Sequence, residues 1–99
     1  MAMAENQERI DKNLSVIRHY LKCKFPGCDI TEQSIPSRYQ EFIVSYGTPF
    51  QSHKLKVDWS QLSQRKNTPE RTLFLLHSNY VADWMVRAGH EYYSWNPTD

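Results

Sequence analysis

The apolar residues near the N-terminus follow the period of an α-helix. Between Gln7 and Lys24 an apolar side chain recurs every three or four positions, which places these side chains on one face of a helix. They are Ile10, Leu14, Ile17 and Leu21. Pro26 and Gly27 follow, and they end a helix because proline lacks an N–H and glycine accepts the left-handed conformation common after a last turn. We therefore predict a first helix from Gln7 to Lys24.

The middle of the chain alternates between apolar and polar residues, with the period of two that indicates β-strands. One such segment runs from Tyr39 to Gly47 and a second from His53 to Trp59. The expected inward faces comprise Phe42, Val44 and Tyr46 in the first segment, and His53, Leu55, Val57 and Trp59 in the second. The turn residues Gly47-Thr48-Pro49 favour an antiparallel hairpin. Residues 29–36 are β-branched but polar, which predicts a short strand at an edge.

A second helix is predicted after a polar connector at residues 60–67. Thr68 offers a capping hydroxyl, Pro69 suits the first helical position, and Gly89 suits the end. The predicted apolar stripe comprises Leu73, Phe74, Leu76, Tyr80, Val81, Trp84, Met85 and Ala88. Residues 91–95 are rich in aromatic strand formers and precede Asn96-Pro97, which predicts a last short strand.

These elements predict an α+β fold in the order α-(β)-β-β-α-β. We expect a two-layer sandwich of two helices on a small, mostly antiparallel sheet. The 99 residues suit a single domain over residues 1–99, in which residues 1–6 and 96–99 are expected to be flexible.

Composition narrows the function classes only slightly. The chain is 39% hydrophobic and carries a net charge of +1, so it should fold, and no bulk charge indicates a nucleic-acid or membrane partner. No apolar stretch approaches the roughly 18 residues of a spanning helix. The N-terminal residues lack the basic and apolar segments of a signal peptide. We therefore expect a soluble, cytoplasmic protein.

The aromatic residues suggest the leading hypothesis, a non-enzymatic module that binds another protein or itself as a homodimer. Exposed Trp and Tyr are typical of protein interfaces. The predicted interaction residues are Trp59, Tyr92, Tyr93 and Trp95. Tyr92 and Tyr93 are adjacent in a strand and therefore point to opposite faces. Replacing Tyr93 or Trp95 by alanine is expected to weaken association without unfolding the domain.

The alternative hypothesis is nucleic-acid binding through a basic segment. Residues 53–72 carry five positive and two negative side chains, and the excess could bind phosphates. The cations are Lys54, Lys56, Arg65, Lys66 and Arg71. The purely structural interpretation is that lysines on a strand keep an exposed face soluble and prevent pairing at the sheet edge.

The element order also resembles that of the double-stranded-RNA-binding domains, through its α-β-β-β-α sequence and the basic residues before the last helix. The resemblance implies contacts to phosphates across the grooves of an RNA duplex. Residues 63–68 differ from the pattern of that family, because they contain no glycine and a single lysine, Lys66. The predicted last strand is an addition to that order.

Cysteine and histidine spacing predicts no catalytic set, metal site or cofactor. Four residues separate Cys23 from Cys28, which is neither a redox motif nor a complete zinc site. Cys23 and His19 would share one helical face, but an i, i+4 pair is common by chance. We expect two thiols at a turn, and we expect His77 at the rim of the core.

Overall fold

A computed structural model describes residues 2–35, 38–47 and 51–97. In this part of the chain four helices and four strands follow one another. In chain order they are α1 (Ala2–Lys24), β1 (Asp29–Ile35), β2 (Tyr39–Ser45), β3 (Ser52–Asp58), α2 (Trp59–Ser63), α3 (Pro69–Ser78), α4 (Val81–Arg87) and β4 (Tyr92–Trp95).

The strands form one mixed sheet in the order β1-β2-β3-β4. The first three strands are antiparallel, with Phe42 opposite Leu55 in the central pair. Strand β4 is parallel to β3, with Tyr93 opposite Leu55. A parallel neighbour requires a crossover connection, and helices α2, α3 and α4 provide it. The predicted α+β class, the hairpin of β2 and β3 and the edge position of β1 are confirmed.

The core lies between one face of the sheet and the helices. In the strands, Phe42, Val44, Leu55 and Val57 are fully buried. The helices contribute a larger set, comprising Ile10, Leu14, Ile17, Tyr20, Leu21, Leu62, Leu75, Leu76, Val81, Ala82 and Met85. The predicted period of α1 is confirmed, since its four predicted apolar residues all belong to this core. Because the fully buried apolar residues of β2 and β3 alternate, the other face of the sheet points away from the helices.

The prediction of one long helix after Thr68 is wrong, because the helix is interrupted at Tyr80 and divided into α3 and α4. Tyr80 adopts the left-handed conformation with a φ of 53°. The phenolic oxygen of Tyr20 accepts a hydrogen bond at 3.0 Å from the backbone N–H of Ala82, in the first turn of α4. The turn changes which side chains face the core: Leu75 is buried, whereas Phe74 and Trp84 of the predicted stripe are exposed.

The predicted extents of β2 and β3 are also corrected. Strand β3 ends at Asp58, whose carboxylate accepts a hydrogen bond at 2.9 Å from the backbone N–H of Ser60 and so caps α2. Trp59 therefore begins a short helix within the predicted connector and does not extend the strand. Strand β2 ends at Ser45, and Tyr46 beyond it is exposed.

Some predictions fall partly outside the described residues. The turn at Gly47-Thr48-Pro49 includes residues 48 and 49, of which the structure gives no description. Helix α1 begins at Ala2, before the predicted start at Gln7. The flexibility of residues 1–6 and 96–99 stays a prediction. None of the helices in the described part of the chain has the length and apolar character needed to cross a membrane.

A buried asparagine fastens α1 to the segment that joins α2 and α3. Asn13 is fully buried, and its amide donates hydrogen bonds to the carbonyl oxygens of Leu62 at 3.0 Å and Asn67 at 2.8 Å. Its side-chain oxygen accepts a third bond at 3.1 Å from the hydroxyl of Thr72 in α3. Three elements thus meet at one side chain, which satisfies backbone groups that burial would otherwise leave unpaired.

We expect Asn13→Ala to lower the free energy of unfolding by about 2–4 kcal/mol, because it leaves two buried carbonyls and one hydroxyl without a partner. The matched control is Asn6→Ala, in the same helix, where the side chain is exposed. Urea denaturation of both variants measures the difference. A loss below about 1 kcal/mol for Asn13→Ala would show that this junction does not hold the helices together.

Candidate interaction surface

Exposed aromatic side chains gather where α4 meets β4. Trp84 of α4 is 47% exposed, and its ring lies 6.3 Å from the ring of Tyr93 at an angle of 17°. The guanidinium of Arg87 lies 5.0 Å from the centre of the Trp84 ring, close enough for a cation–π contact. Tyr80, 65% exposed, and Val86, 52% exposed, complete the group. We call Tyr80, Trp84, Val86, Arg87 and Tyr93 the aromatic surface.

The backbone at Tyr80 is strained, and its ring is nevertheless on the surface. A left-handed conformation costs an L-residue roughly 1–2 kcal/mol, and β-branched or bulky residues adopt it rarely. No side-chain hydrogen bond caps α4 at this position. A glycine would adopt this turn without strain. Strained residues that persist are concentrated at functional sites.

The aromatic surface borders two open depressions. The larger, of about 500 Å³, lies between the end of α3, Trp84 and strand β4, and Tyr93, Ser94 and Asn96 line its β4 side. The second, of about 440 Å³, has Asp83, Val86 and Arg87 among its lining residues. Tyr80 and Trp84 belong to both depressions. These two residues therefore form the ridge between two concave regions.

Trp95 belongs to the core, and its assignment to the interaction surface is corrected. It is 1% exposed, and its indole N–H donates a hydrogen bond at 3.3 Å to the side-chain oxygen of Asn79. Tyr93, two residues earlier on the same face of β4, is half-buried, and this burial raises the pKa of its phenol. Trp59 is also half-buried, packs against the core from α2 and does not line either depression. Of the predicted residues, only Tyr93 lies on the aromatic surface.

Tyr92 lies on the opposite, outer face of the sheet. Its hydroxyl donates a hydrogen bond at 3.0 Å to Glu41, and burial, followed by this bond, raises the pKa of Tyr92. The ammonium of Lys56 lies 4.8 Å from the centre of the Tyr92 ring and 4.6 Å from that of Tyr39, and the ammonium of Lys54 lies 5.2 Å from that of Tyr92. Cations and rings on this face are thus paired with one another.

The five predicted nucleic-acid-binding residues do not share one surface. Lys54 and Lys56 project from the outer face of β3, in register with Tyr92 and Ser94 of β4. Arg65 and Lys66 follow α2, and Arg71 lies in the first turn of α3, so these three belong to the helical crossover. The positive excess in the sequence is therefore divided between the sheet and the crossover.

None of the described cysteines and histidines lines either depression. Cys23 and Cys28 are free thiols, and burial raises the pKa of the Cys28 thiol. The predicted proximity of Cys23 to His19 is confirmed, with 3.6 Å between Sγ and Nε2. The edge of the His77 ring meets the ring of Tyr20, with 5.1 Å between their centres. In the described part of the chain, no cluster of three His, Cys, Asp or Glu side chains could hold a metal ion.

No family model, no curated protein and no solved structure matches this chain. Its element order departs from that of the double-stranded-RNA-binding domains after β3, where α2, the break at Tyr80 and the parallel strand β4 follow.

Reasoning from the sequence misses four surface residues, Tyr80, Trp84, Val86 and Arg87. Tyr80 and Trp84 fall in a predicted buried stripe if residues 69–88 form one helix. The signal that could have found them is the excess of apolar residues in this segment, which covers more of a helix circumference than one core-facing stripe needs.

Two substitutions at Tyr80 separate backbone strain from the loss of the ring. Tyr80→Ala and Tyr80→Gly both remove the exposed phenol, but only glycine relieves the left-handed strain. We expect the glycine variant to be more stable than the alanine variant by about 1 kcal/mol, measured by thermal and urea unfolding. Equal stabilities would show that this position is not strained.

Truncating the two C-terminal tryptophans should lower stability by very different amounts. Trp95→Ala removes a fully buried side chain and should lower the free energy of unfolding by about 3–5 kcal/mol. Trp84→Ala removes a half-exposed ring and should cost about 1 kcal/mol or less. Near-equal losses in urea denaturation would contradict this division between core and surface.

Proposed function

We propose that this protein acts as a non-enzymatic protein-interaction module, with the aromatic surface as its binding site. The observation that carries the proposal is the position of Trp84, which stands half-exposed between two concave regions while Tyr93 and Arg87 pack against it. A large ring held by neighbouring side chains loses little conformational entropy on binding. Trp, Tyr and Arg are also the residue types that dominate binding energy in protein interfaces.

The composition of the surface supports a protein partner. Monomeric proteins expose single apolar side chains everywhere, but a contiguous group of large ones indicates a contact site. Tyr80, Trp84 and Val86 are among the most exposed large apolar residues of the described chain, and they lie within one stretch of seven residues. Polar side chains of Ser78, Ser94 and Asn96 surround them, as in the polar rim of an interface.

Nucleic-acid binding has weaker support. A phosphate backbone binds where several cations lie together, and each one contributes to the salt dependence of the affinity. Of the five predicted cations, two, Lys54 and Lys56, share the outer face of the sheet, where Glu41 is also placed. A basic surface of this size would give low affinity even for a single strand.

A peptide selection tests the binding site and needs no candidate partner. Random peptides displayed on phage would be selected against the immobilised protein, and their contacts would be mapped by amide chemical shifts. We expect the shifts to cluster on α4 and β4, and we expect Trp84→Ala to weaken binding by about 30-fold, as for a central interface residue.

The matched control is Tyr46→Ala, which removes another exposed aromatic ring from the end of β2. This variant should bind the selected peptides like the wild type. Peptides that bind the wild type and Trp84→Ala equally, shifts confined to the outer face of the sheet, or a selection that yields no specific peptide would each contradict the proposal.

A further inference from the structure

Strand β4 has β3 on one side and no strand on the other within the described chain. We propose that the partner of the aromatic surface is a second copy of this chain, an inference that rests on the proposed function. The two copies join through antiparallel pairing of their β4 strands about a two-fold axis. The result is one sheet that runs through both subunits, with the helices of both on the same side.

The backbone of β4 can support such pairing. In a parallel pair, successive residues direct their N–H and C=O groups alternately towards the neighbouring strand and away from it. Half of the four residues Tyr92–Trp95 therefore present backbone groups at the open edge. Edge strands of this kind pair readily unless proline, charge or a bulge prevents it. The side chains of β4 include no charge and no proline.

The aromatic surface adjoins this edge and would be covered by the same contact. Tyr93 and Ser94 of β4 line the larger depression together with Trp84 of α4. Pairing of the two strands brings the α4 helices of both copies towards each other on the helical side of the sheet. The contact then buries Tyr80 and Trp84 of each subunit, so that one interface uses both the free edge and the exposed rings.

The charges of the surface favour a second copy over a charged foreign partner. Asp83 and Arg87 both line the second depression, which therefore carries one charge of each sign. A two-fold axis makes such a surface complementary to itself, because it can bring Arg87 of each copy towards Asp83 of the other. A partner of uniform charge would meet one repulsive residue in every orientation.

The two-fold axis limits which residues face each other across β4. An axis perpendicular to the sheet keeps each side chain opposite one on the same face. Ser94, on the outer face, then lies opposite Ser94 or Tyr92 of the second copy. Directly opposed residues of antiparallel strands have Cβ atoms about 4.5–5.5 Å apart, within reach of a disulfide after modest adjustment.

Sedimentation and cysteine crosslinking test the inference. We expect the wild type to change from monomer to dimer between about 1 µM and 1 mM, since a four-residue strand and a few rings make a small interface. Trp84→Ala should raise the dissociation constant about 30-fold, whereas Tyr46→Ala should not change it. In a Cys23→Ser, Cys28→Ser background, Ser94→Cys should form a covalent dimer on oxidation, alone or mixed with Tyr92→Cys.

The matched crosslinking control is Thr31→Cys, an exposed position on the outer face of the opposite edge strand β1. It should form no covalent dimer under the same oxidation. A monomer at all concentrations would overturn the inference, as would a dimer that Trp84→Ala leaves intact or one that gives no Ser94→Cys crosslink. A monomer that binds selected peptides on the aromatic surface would overturn the homodimer and leave the proposed function standing.

Discussion

The left-handed backbone of Tyr80 is the constraint on which the helical layer depends. A continuous helix would carry the residues after Ser78 away from the sheet, whereas the break turns α4 back over β3 and β4. The bond from the Ala82 N–H to the Tyr20 hydroxyl fixes the new direction against α1. The turn at Tyr80 therefore places α4 over the core. It also leaves the rings of Tyr80 and Trp84 at the surface.

The sequence predicted those parts of the fold in which hydrophobic periodicity and capping agree. Helix α1 has an uninterrupted period, and the alternation in β2 and β3 matched their buried faces, so these elements were confirmed. The break at Tyr80 could not be predicted, because tyrosine disfavours the left-handed conformation and a tertiary bond, from the Ala82 N–H to the Tyr20 hydroxyl, supports the turn. The parallel direction of β4 depends on a crossover that begins with α2, whose cap at Asp58 falls within the strand predicted from His53 to Trp59.

The site was predicted only in part, for the same reason. Alternation along β4 correctly separates Tyr92 from Tyr93, but it cannot distinguish Tyr93 from Trp95, which share a face. Trp95 lies beneath the end of α3, where the side-chain oxygen of Asn79 accepts a hydrogen bond from its indole N–H. Tyr93 lies beside Trp84 at the border of the larger depression. Their different burial is set by the position of the helices above the strand, and local sequence carries no information about that position.

Pairing of β4 strands would also alter the outer face of the sheet. In one subunit Lys54 and Lys56 are the lysines of that face, and both lie against tyrosine rings. In a sheet continuous through a two-fold axis, Tyr92 would lie near its counterpart from the second copy. The lysines of the two β3 strands would be about 14 Å or more apart, since three strand spacings separate them. The four lysines would therefore not join into one basic surface in the dimer.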